Sequence, residues 1–424
     1  MLTAIANAFR IPELRRKILF TLGIIALYRV GSFIPCPGVN TEIIEQTVGN
    51  AATLGLLNLF SGGALEQFAV FSLGIMPYIT SSIIMQLLQG VIPTIERWQK
   101  EGEAGQRKIT QITRYMTLGI ALLQALGLLT VFRSAGAISS SAVPGAPPVG
   151  FTYAVVVTTL IAGTALIMWF GELITQRGIG NGMSLLIFAS IVARFPIAII
   201  QSIQFGSGFF TAILIVIVLF TIAAIVTMER AQRRIPVQYA KRVVGRRVYG
   251  GSGTYIPLKI NGANVVPIIF ASAILFFPTQ ILQLWPNPPA TVTTIANSLS
   301  KGPVNWILEF LLIVFFTYFY TALVFNPIDL ADNLRKNGGF IPGVRPGNAT
   351  VRYMENVLNR ITLPGALFLG IIAVIPQMVF FATNNQLVQQ FGGTSILIMV
   401  GVALETMTQI ESQLKMRHYE GFFR

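Results

Sequence analysis

Long apolar runs, separated by shorter polar stretches, form the dominant pattern of the chain. An α-helix needs about 20 such residues to cross the hydrocarbon core of a bilayer. Inside a membrane only helices and closed barrels pair every backbone group, and runs of this length favour helices. The pattern predicts an all-α, polytopic membrane protein with ten transmembrane helices near 18–34, 68–90, 115–132, 153–170, 183–202, 210–228, 264–284, 306–325, 363–381 and 393–410.

The basic residues orient these spans. Of the 30 Lys and Arg, only Arg29, Arg133, Arg194 and Lys301 lie in the spans or in the loops on one side of the membrane. All the others lie in the termini and in the loops of the opposite side. Because loops rich in Lys and Arg stay in the cytoplasm, both termini are predicted to be cytoplasmic.

Composition excludes most kinds of active site. Hydrophobic residues make up 53% of the chain and charged residues only 11%, and the one Cys and one His are Cys36 and His418. That is too few for a disulfide framework, a zinc cluster or a nucleophile pair, and the Gly-Lys dipeptide of a phosphate-binding loop does not occur. We therefore expect a protein that is not an enzyme, holds no metal or cofactor, and draws its energy from a partner.

The spans divide into two halves. Spans 1–5 and spans 6–10 each cross the membrane an odd number of times, so a shared fold requires two pseudo-symmetric halves that are inverted relative to each other. The predicted units are a cytoplasmic amphipathic segment 1–17, a first half 18–202, a hinge loop 203–209, a second half 210–410 and a cytoplasmic tail 411–424.

The first of two long cytoplasmic loops in the second half, 229–262, is strongly basic. Its runs IPVQYAKRV and RRVY alternate like strands on either side of Gly245. This pattern predicts a β-hairpin with Lys241, Arg242, Arg246 and Arg247 at its tip. Such a concentration of charge indicates either an acidic macromolecular partner or anionic lipid.

The second long loop, 326–362, predicts a helix, a compact turn and another helix. An Asn-Pro start signal at 326 and a Gly-Gly stop signal at 338 delimit the first helix. The run PGVRPG at 342–347 forces a bend that exposes Arg345. Arg345 then either contacts a partner or forms a salt bridge with Asp329 or Asp332.

Span 2 is too polar for a helix that faces only lipid. It carries the hydroxyl and amide groups of Ser72, Tyr78, Thr80, Ser81, Ser82, Gln86 and Gln89, which need protein partners or a wet cavity. The preceding segment 58–66 is too short to span and contains Ser-Gly-Gly at 61–63, which interrupts a helix. It is predicted either to re-enter the protein at membrane depth or to lie on the outer leaflet as an interfacial helix.

Spans 5 and 7 are also irregular. Span 5 opens with glycines at 178, 180 and 182 around Asn181, a pattern typical of close helix packing. Span 7 has Pro267 near its start and Pro278 near its end. Together with span 2, these features indicate an internal passage.

Seven stretches, in this order, carry a resemblance to a known family: NLFSGGAL (58–65), LGIMPYITSSIIMQLL (73–88), GQRKITQ (105–111), ITQRGIGNGMS (174–184), ERAQRRIPVQYAKR (229–242), LVFNPIDLADNLRKNGGFIPGVRPG (323–347) and FGGTSILI (391–398). The chain resembles, essentially from end to end, the SecY family, which forms the channel subunit of the bacterial protein-conducting translocon.

The resemblance implies roles for particular residues of the four functional parts of such a channel. A hydrophobic pore ring falls on Ile75, Ile79, Met183, Ile187, Ile269 and Ile398. A plug falls on the re-entrant segment 58–66, with Asn58, Leu59, Phe60, Ser61, Gly62, Gly63, Ala64 and Leu65. Lateral-gate positions fall on Thr80, Gln124 and Phe277, and partner-binding positions on Lys241, Arg242, Arg246, Arg247, Arg335, Lys336, Arg345 and Arg352.

The implied function is passage of unfolded secretory polypeptides across the bacterial plasma membrane, with lateral release of signal and transmembrane segments into lipid. The implied partners are SecE, SecG, the SecA motor, the ribosome, nascent chains and anionic lipids. Because span 2 is polar, we expect hydroxyl and amide contacts between the gate helices. Met183 stands where the family's ring is more often β-branched, which softens the seal.

Two other functions are the competing hypotheses. A secondary transporter of a small solute needs acids in the middle of spans for ion coupling, whereas Glu309 and Glu405 lie near predicted span ends. An intramembrane protease needs paired Asp, a Ser-His pair or a metal cluster within the bilayer. The only two Asp, at 329 and 332, lie in a cytoplasmic loop.

Overall fold

The computed structural model describes residues 9–50, 58, 60–138, 149–205, 208–239, 242–244, 247–249, 254–284, 289, 294, 298–299, 302–383 and 393–420. Its longer helices are α1 (Pro12–Gly31), α2 (Thr41–Asn50), α3 (Met76–Val91), α4 (Pro93–Lys100), α5 (Glu103–Ser134), α6 (Val149–Arg177), α7 (Gly182–Phe205), α8 (Gly208–Arg230), α9 (Val266–Leu284), α10 (Pro303–Val324), α11 (Pro327–Lys336), α12 (Asn348–Thr383) and α13 (Gly393–Glu420). Each predicted span falls on a different helix: α1, α3, α5 to α10, α12 and α13.

Within the described ranges, five helical stretches are long and apolar enough to cross a membrane on their own: Glu103–Ser134, Gly150–Arg177, Pro303–Lys336, Asn348–Met378 and Gly393–Met416. Helix α3 is shorter, and its axis turns by 99° at Pro93 into α4. It begins at Met76 rather than near residue 68, because Phe68 and Gly74 adopt positive φ values of 45° and 56° that a helix does not accommodate. The residues before it form turns.

Three boundaries differ from the predicted units. Helix α1 already begins at Pro12, so residues 12–17 of the predicted amphipathic segment are continuous with span 1, because no helix breaker separates them. Helix α7 ends at Phe205 and α8 begins at Gly208, which leaves a shorter connection than the predicted hinge. Helix α13 continues to Glu420, so most of the predicted tail is helical.

The two halves pack internally and meet along two seams. In the first half α3 packs on α5, α5 on α6, and α6 on α7 and α1. In the second half α10 packs on α9 and α12, and α13 packs on α8 and α12. The halves meet where α9 packs on α3 and α5, and again where α13 packs on α7. A single apolar core cluster extends through both halves.

Two small antiparallel sheets lie outside the helices. Their strands are β1 (Gln232–Tyr239), β2 (Arg242–Val244), β3 (Arg247–Tyr249), β4 (Thr254–Lys259) and β5 (Gly339–Phe340). The larger one, called the sheet below, has the strand order β4-β1-β5, and β2 pairs only with β3. The predicted hairpin is therefore confirmed for β2 and β3, whereas most of its predicted first strand belongs to β1 and pairs with β4. The sequence did not predict β5, which comes from the second long loop and pairs Phe340 with Gln238.

The sheet and the second long loop share a core. The side chains of Ile235 and Val237 point from β1 into a cluster with Leu334 of α11 and Met354 of α12. The predicted start of α11 is confirmed, because Asn326 accepts a hydrogen bond from the backbone of Ile328 at 3.0 Å. The two long loops therefore fold as one unit.

Candidate functional site

The predicted ring residues lie at the centre of the helical body. Ile75 and Ile79 lie at the start of α3, Met183 and Ile187 in the first turns of α7, Ile269 in α9 and Ile398 in α13. All except Ile269 are at most 8% exposed and belong to one apolar cluster, and Ile269 packs against that cluster. Two helices from each half thus contribute apolar side chains to the shared core.

The glycine-rich start of span 5 fixes the position of Met183. Asn181 accepts a hydrogen bond from the Met183 backbone at 3.1 Å and so caps α7. Gly182 packs directly on the backbone carbonyl of Gly171 in α6, where no Cβ fits, and Gly180 has a φ of +86°. The predicted close packing of these glycines is confirmed.

The predicted plug segment is enclosed by protein. Asn58, Phe60, Ser61, Ala64 and Leu65 are all buried, whereas Leu59 lies outside the described residues. A helix lying on the leaflet would leave one face exposed, so this burial favours re-entry over the interfacial alternative.

The segment lies next to the ring. A Cβ built on Gly74 would lie 3.0 Å from the Cα of Ser61, and Gly74 directly precedes Ile75. The Ser72 hydroxyl donates a hydrogen bond to the carbonyl of Ala64 at 3.0 Å. The start of the polar second span therefore holds the segment against the apolar centre.

The gate helices are in contact, but their hydroxyl groups are not used as expected. Thr80 donates to the Met76 carbonyl at 2.9 Å and Ser81 to the Pro77 carbonyl at 2.8 Å, one turn back on the same helix. The expectation that these hydroxyls bridge two spans is wrong for both residues, because a back-bonded hydroxyl needs no partner across the interface. Gln124 of α5 is buried, and the side chain of Phe277 lies outside the described residues.

The predicted partner-binding residues that the structure describes lie on the two-stranded hairpin and in the part of the chain around the second long loop. Arg242 and Arg247 belong to the paired strands β2 and β3, whereas Lys241 and Arg246 lie outside the described residues. Arg335, Lys336, Arg345 and Arg352 are exposed. Within the described ranges no ion pair joins Arg345 to Asp329 or Asp332, so the salt-bridge alternative is not observed.

Three charged residues near the plug segment were missed. Arg194 of α7 pairs with Glu66 at 2.7 Å, and Arg29 of α1 donates a hydrogen bond to the Gly62 carbonyl at 3.0 Å. The signal was present in the sequence, because these arginines are two of the four basic residues that lie apart from the cytoplasmic side.

The fold is similar to that of solved channel structures. One, described as a protein conducting channel, has a TM-score of 0.67 and 18% sequence identity to this chain. The match covers 96% of each of the two chains. Canine Sec61 from a ribosome–channel complex has a TM-score of 0.63 and 17% identity, again with 96% coverage of both chains. The fold and its apolar centre define the class: an all-α membrane protein with two inverted halves and the architecture of a protein-conducting channel.

Sequence comparison gives the family. A family model described as SecY matches residues 69–407. Protein translocase subunit SecY of Streptomyces galbus is 52% identical over 437 residues, and that of Mycobacterium tuberculosis strain H37Rv is 49% identical over 443 residues, with 100% of each chain covered. The chain belongs to the SecY family and is a protein translocation channel. The transporter alternative finds no support.

Proposed function

We propose that this chain conducts unfolded secretory polypeptides across the bacterial plasma membrane and releases apolar segments sideways into lipid, with SecE and SecG as companion subunits. The SecA motor or the ribosome supplies the energy, and the chain itself carries out no catalysis. Its termini and the sheet face the cytoplasm. The observation that carries this proposal is the apolar cluster to which α3, α7, α9, α13 and segment 58–66 all contribute buried side chains.

The ring acts as a seal whose side chains close the pore when it is empty and pack around a polypeptide when one is present. Narrow apolar constrictions block ions because water leaves them, and they offer a passing peptide no hydrogen bonds that would retain it. The unbranched Met183 adapts its shape more readily than the isoleucines around it. The plug covers the ring while no polypeptide is present. A solved SecY structure of similar fold is described as one whose plug domain stabilises the closed state and maintains a membrane seal, which supports this role.

The gate opens between α9 and the pair α3 and α5. Because Thr80 and Ser81 already bond to their own helix, separation of these helices breaks neither hydrogen bond. Apolar packing between the helices can be replaced by packing against lipid or a signal segment. Opening of the gate therefore costs little free energy. Thr80 and Gln124 line this route, and the family resemblance adds Phe277.

The sheet and α11 dock the partner that drives transport. Their exposed basic residues form a surface suited to an acidic protein face or RNA phosphate, and anionic headgroups attract the same loops. The structurally similar canine Sec61 comes from a ribosome–channel complex, which supports a ribosome as one such partner.

Site-specific crosslinking tests the proposal. A photoreactive residue at Thr80 should capture a stalled signal sequence in proteoliposomes that contain SecE, SecG, SecA and ATP. The same probe at Phe220, which is 75% exposed on α8, serves as the control that faces lipid. Equal capture at both positions, or failure of the vesicles to take up a preprotein, would refute the proposed route.

A further inference from the structure

Two arginines occupy positions that the orientation of the protein does not explain. Arg29 lies in the last turn of α1, and Arg194 lies in the second half of α7. Both belong to the few basic residues outside the cytoplasmic loops. A cation at membrane depth has a high free energy unless it is paired or has a function. The groups that contact these two arginines therefore indicate why the arginines are there.

The partner of Arg194 is the carboxylate at the end of the plug segment. Arg194 Nη2 lies 2.7 Å from Glu66 Oε1, and the two side chains are 14% and 35% exposed. The same oxygen of Glu66 accepts a hydrogen bond from Asn58 Nδ2. One carboxylate thus joins both ends of the segment and attaches them to α7.

The partner of Arg29 is the turn of the same segment. Its Nη1 donates a hydrogen bond to the carbonyl of Gly62 at 3.0 Å. Gly62 has a φ of +66°, and a Cβ there would lie 2.7 Å from this nitrogen and 3.0 Å from the Cα of Ser190. Glycine at this position lets the guanidinium of Arg29 and the backbone of α7 approach the turn together.

The arginine on α7 is aligned with the pore ring. Met183, Ile187 and Arg194 lie at positions i, i+4 and i+11, which share one face of a helix. Arg194 lies seven positions after Ile187, so its Cα is about 10 Å farther along the helix axis, toward the outer side. A segment held at that point covers the apolar constriction from outside.

We propose that Arg29, Arg194, Glu66 and the Gly62 carbonyl form an outer latch, in which these charged side chains are positioning residues that hold the plug closed. This inference rests on the proposed role of segment 58–66. When the segment leaves, two guanidinium groups remain without their partners in a confined space. Uncompensated charge of this kind is unfavourable, so the latch favours return of the plug.

The latch can be tested by the resting conductance of the complete channel complex in planar bilayers. Glu66→Gln keeps the shape of the side chain and removes its charge. We expect its resting ion conductance to rise about tenfold, since the pair is only partly buried and lies between surface and interior pairs in strength. Glu45→Gln is the matched control, because Glu45 is an exposed acid in α2.

A charge swap separates a latch from a general structural role. Glu66→Arg or Arg194→Glu alone should raise the conductance, whereas both together should restore it to within a few-fold of the parent. A residue needed only for folding would not be rescued in this way. A Glu66→Gln channel that stays as tight as the parent, or a double variant no tighter than either single one, would overturn the latch.

Deletion of residues 58–66 separates failure of the latch from failure of the plug assignment. If the deletion variant leaks while Glu66→Gln stays tight, the segment is a plug but the latch is wrong. If neither variant leaks, the plug role fails and the latch fails with it. Equal assembly of all variants with the companion subunits, measured by size-exclusion chromatography, shows that the conductances compare folded channels.

Discussion

The side chain of Met183 lies so close to Gly171 that a Cβ on that glycine would overlap the Met183 thioether unless the thioether moved. The contact joins α6 to the first turn of α7, where Asn181 and Gly182 fix the backbone. The position of one predicted ring residue is therefore determined by a glycine on a neighbouring helix that is not itself among the predicted ring residues.

Replacement of Gly171 by Ala should loosen the seal with little loss of stability. The new methyl group displaces the thioether of Met183, which changes rotamer at a cost of about 1 kcal/mol. We expect a higher resting ion conductance in planar bilayers and a nearly unchanged melting temperature. Gly119→Ala in α5 is the control, because a Cβ at Gly119 meets nothing within 4 Å.

Gly182→Ala, in the same interface between α6 and α7, should by contrast lower the stability of the protein. Its Cβ would overlap the backbone carbonyl of Gly171, which cannot move aside as a side chain does. We expect a loss of about 1–3 kcal/mol of stability, which is the usual cost of overpacking. Comparable melting temperatures for the alanine variants at 171 and 182 would contradict the assigned contacts.

Cys36, the only cysteine of the chain, should report movement next to the plug. Its backbone donates a hydrogen bond to the Phe68 carbonyl at 2.9 Å, and burial raises the pKa of its thiol from 9.0 to about 12. The thiolate is the reactive form, so a shift of this size lowers its population about a thousand-fold near neutral pH.

Maleimide labelling between pH 7 and 10 measures this effect. The rate for the folded, resting channel should stay far below that of the unfolded chain, whose rate is half-maximal near pH 9, and should still rise about tenfold per pH unit at pH 10. Above pH 9 the unfolded chain loses a proton that the folded one retains, so stability should also fall as the pH rises. A half-maximal labelling rate near pH 9 in the folded channel would show that the thiol is accessible.

Removal of the Arg345 charge should weaken docking of the motor and the ribosome. Arg345→Gln removes an exposed cation with no acidic partner among the described residues, and we expect affinity to fall by up to about fivefold at low salt. Arg107→Gln is the matched control, since Arg107 is exposed near the start of α5 and pairs with Glu103.

Binding at two salt concentrations checks this prediction. The difference between parent and Arg345→Gln should shrink at high salt, because exposed charges are screened. The double change Arg246→Glu and Arg247→Glu at the hairpin should have a larger effect in the same direction. Equal affinities for all variants would remove this surface from the docking site.

The sequence predicted those parts of the fold that depend on local pattern. Apolar runs located the spans, and strand alternation around Gly245 located the hairpin. Strand β5 could not be found in this way, because two residues carry no periodicity and their pairing with β1 joins chain segments about one hundred residues apart. The association of the two long loops, 229–262 and 326–362, is thus a tertiary property.

The polar residues of span 2 show a different limit. Their presence correctly indicated an unusual helix, but Thr80 and Ser81 bond within that helix rather than across the gate. Composition does not distinguish these arrangements, since both satisfy a hydroxyl group. The pairing of Glu66 with Arg194 was equally hidden, because 128 positions separate them and only folding brings them together.

Serine substitutions at the ring test the apolar seal directly. Ile79→Ser together with Ile187→Ser places hydroxyl groups at the constriction from α3 and α7, which lets water and ions remain there. We expect a continuous resting current in planar bilayers while preprotein transport persists. The same two-residue change at Ile215 and Ile217, which are exposed on α8, should not produce a current. If the ring variant stays closed to ions although it is folded and active in transport, the constriction lies elsewhere.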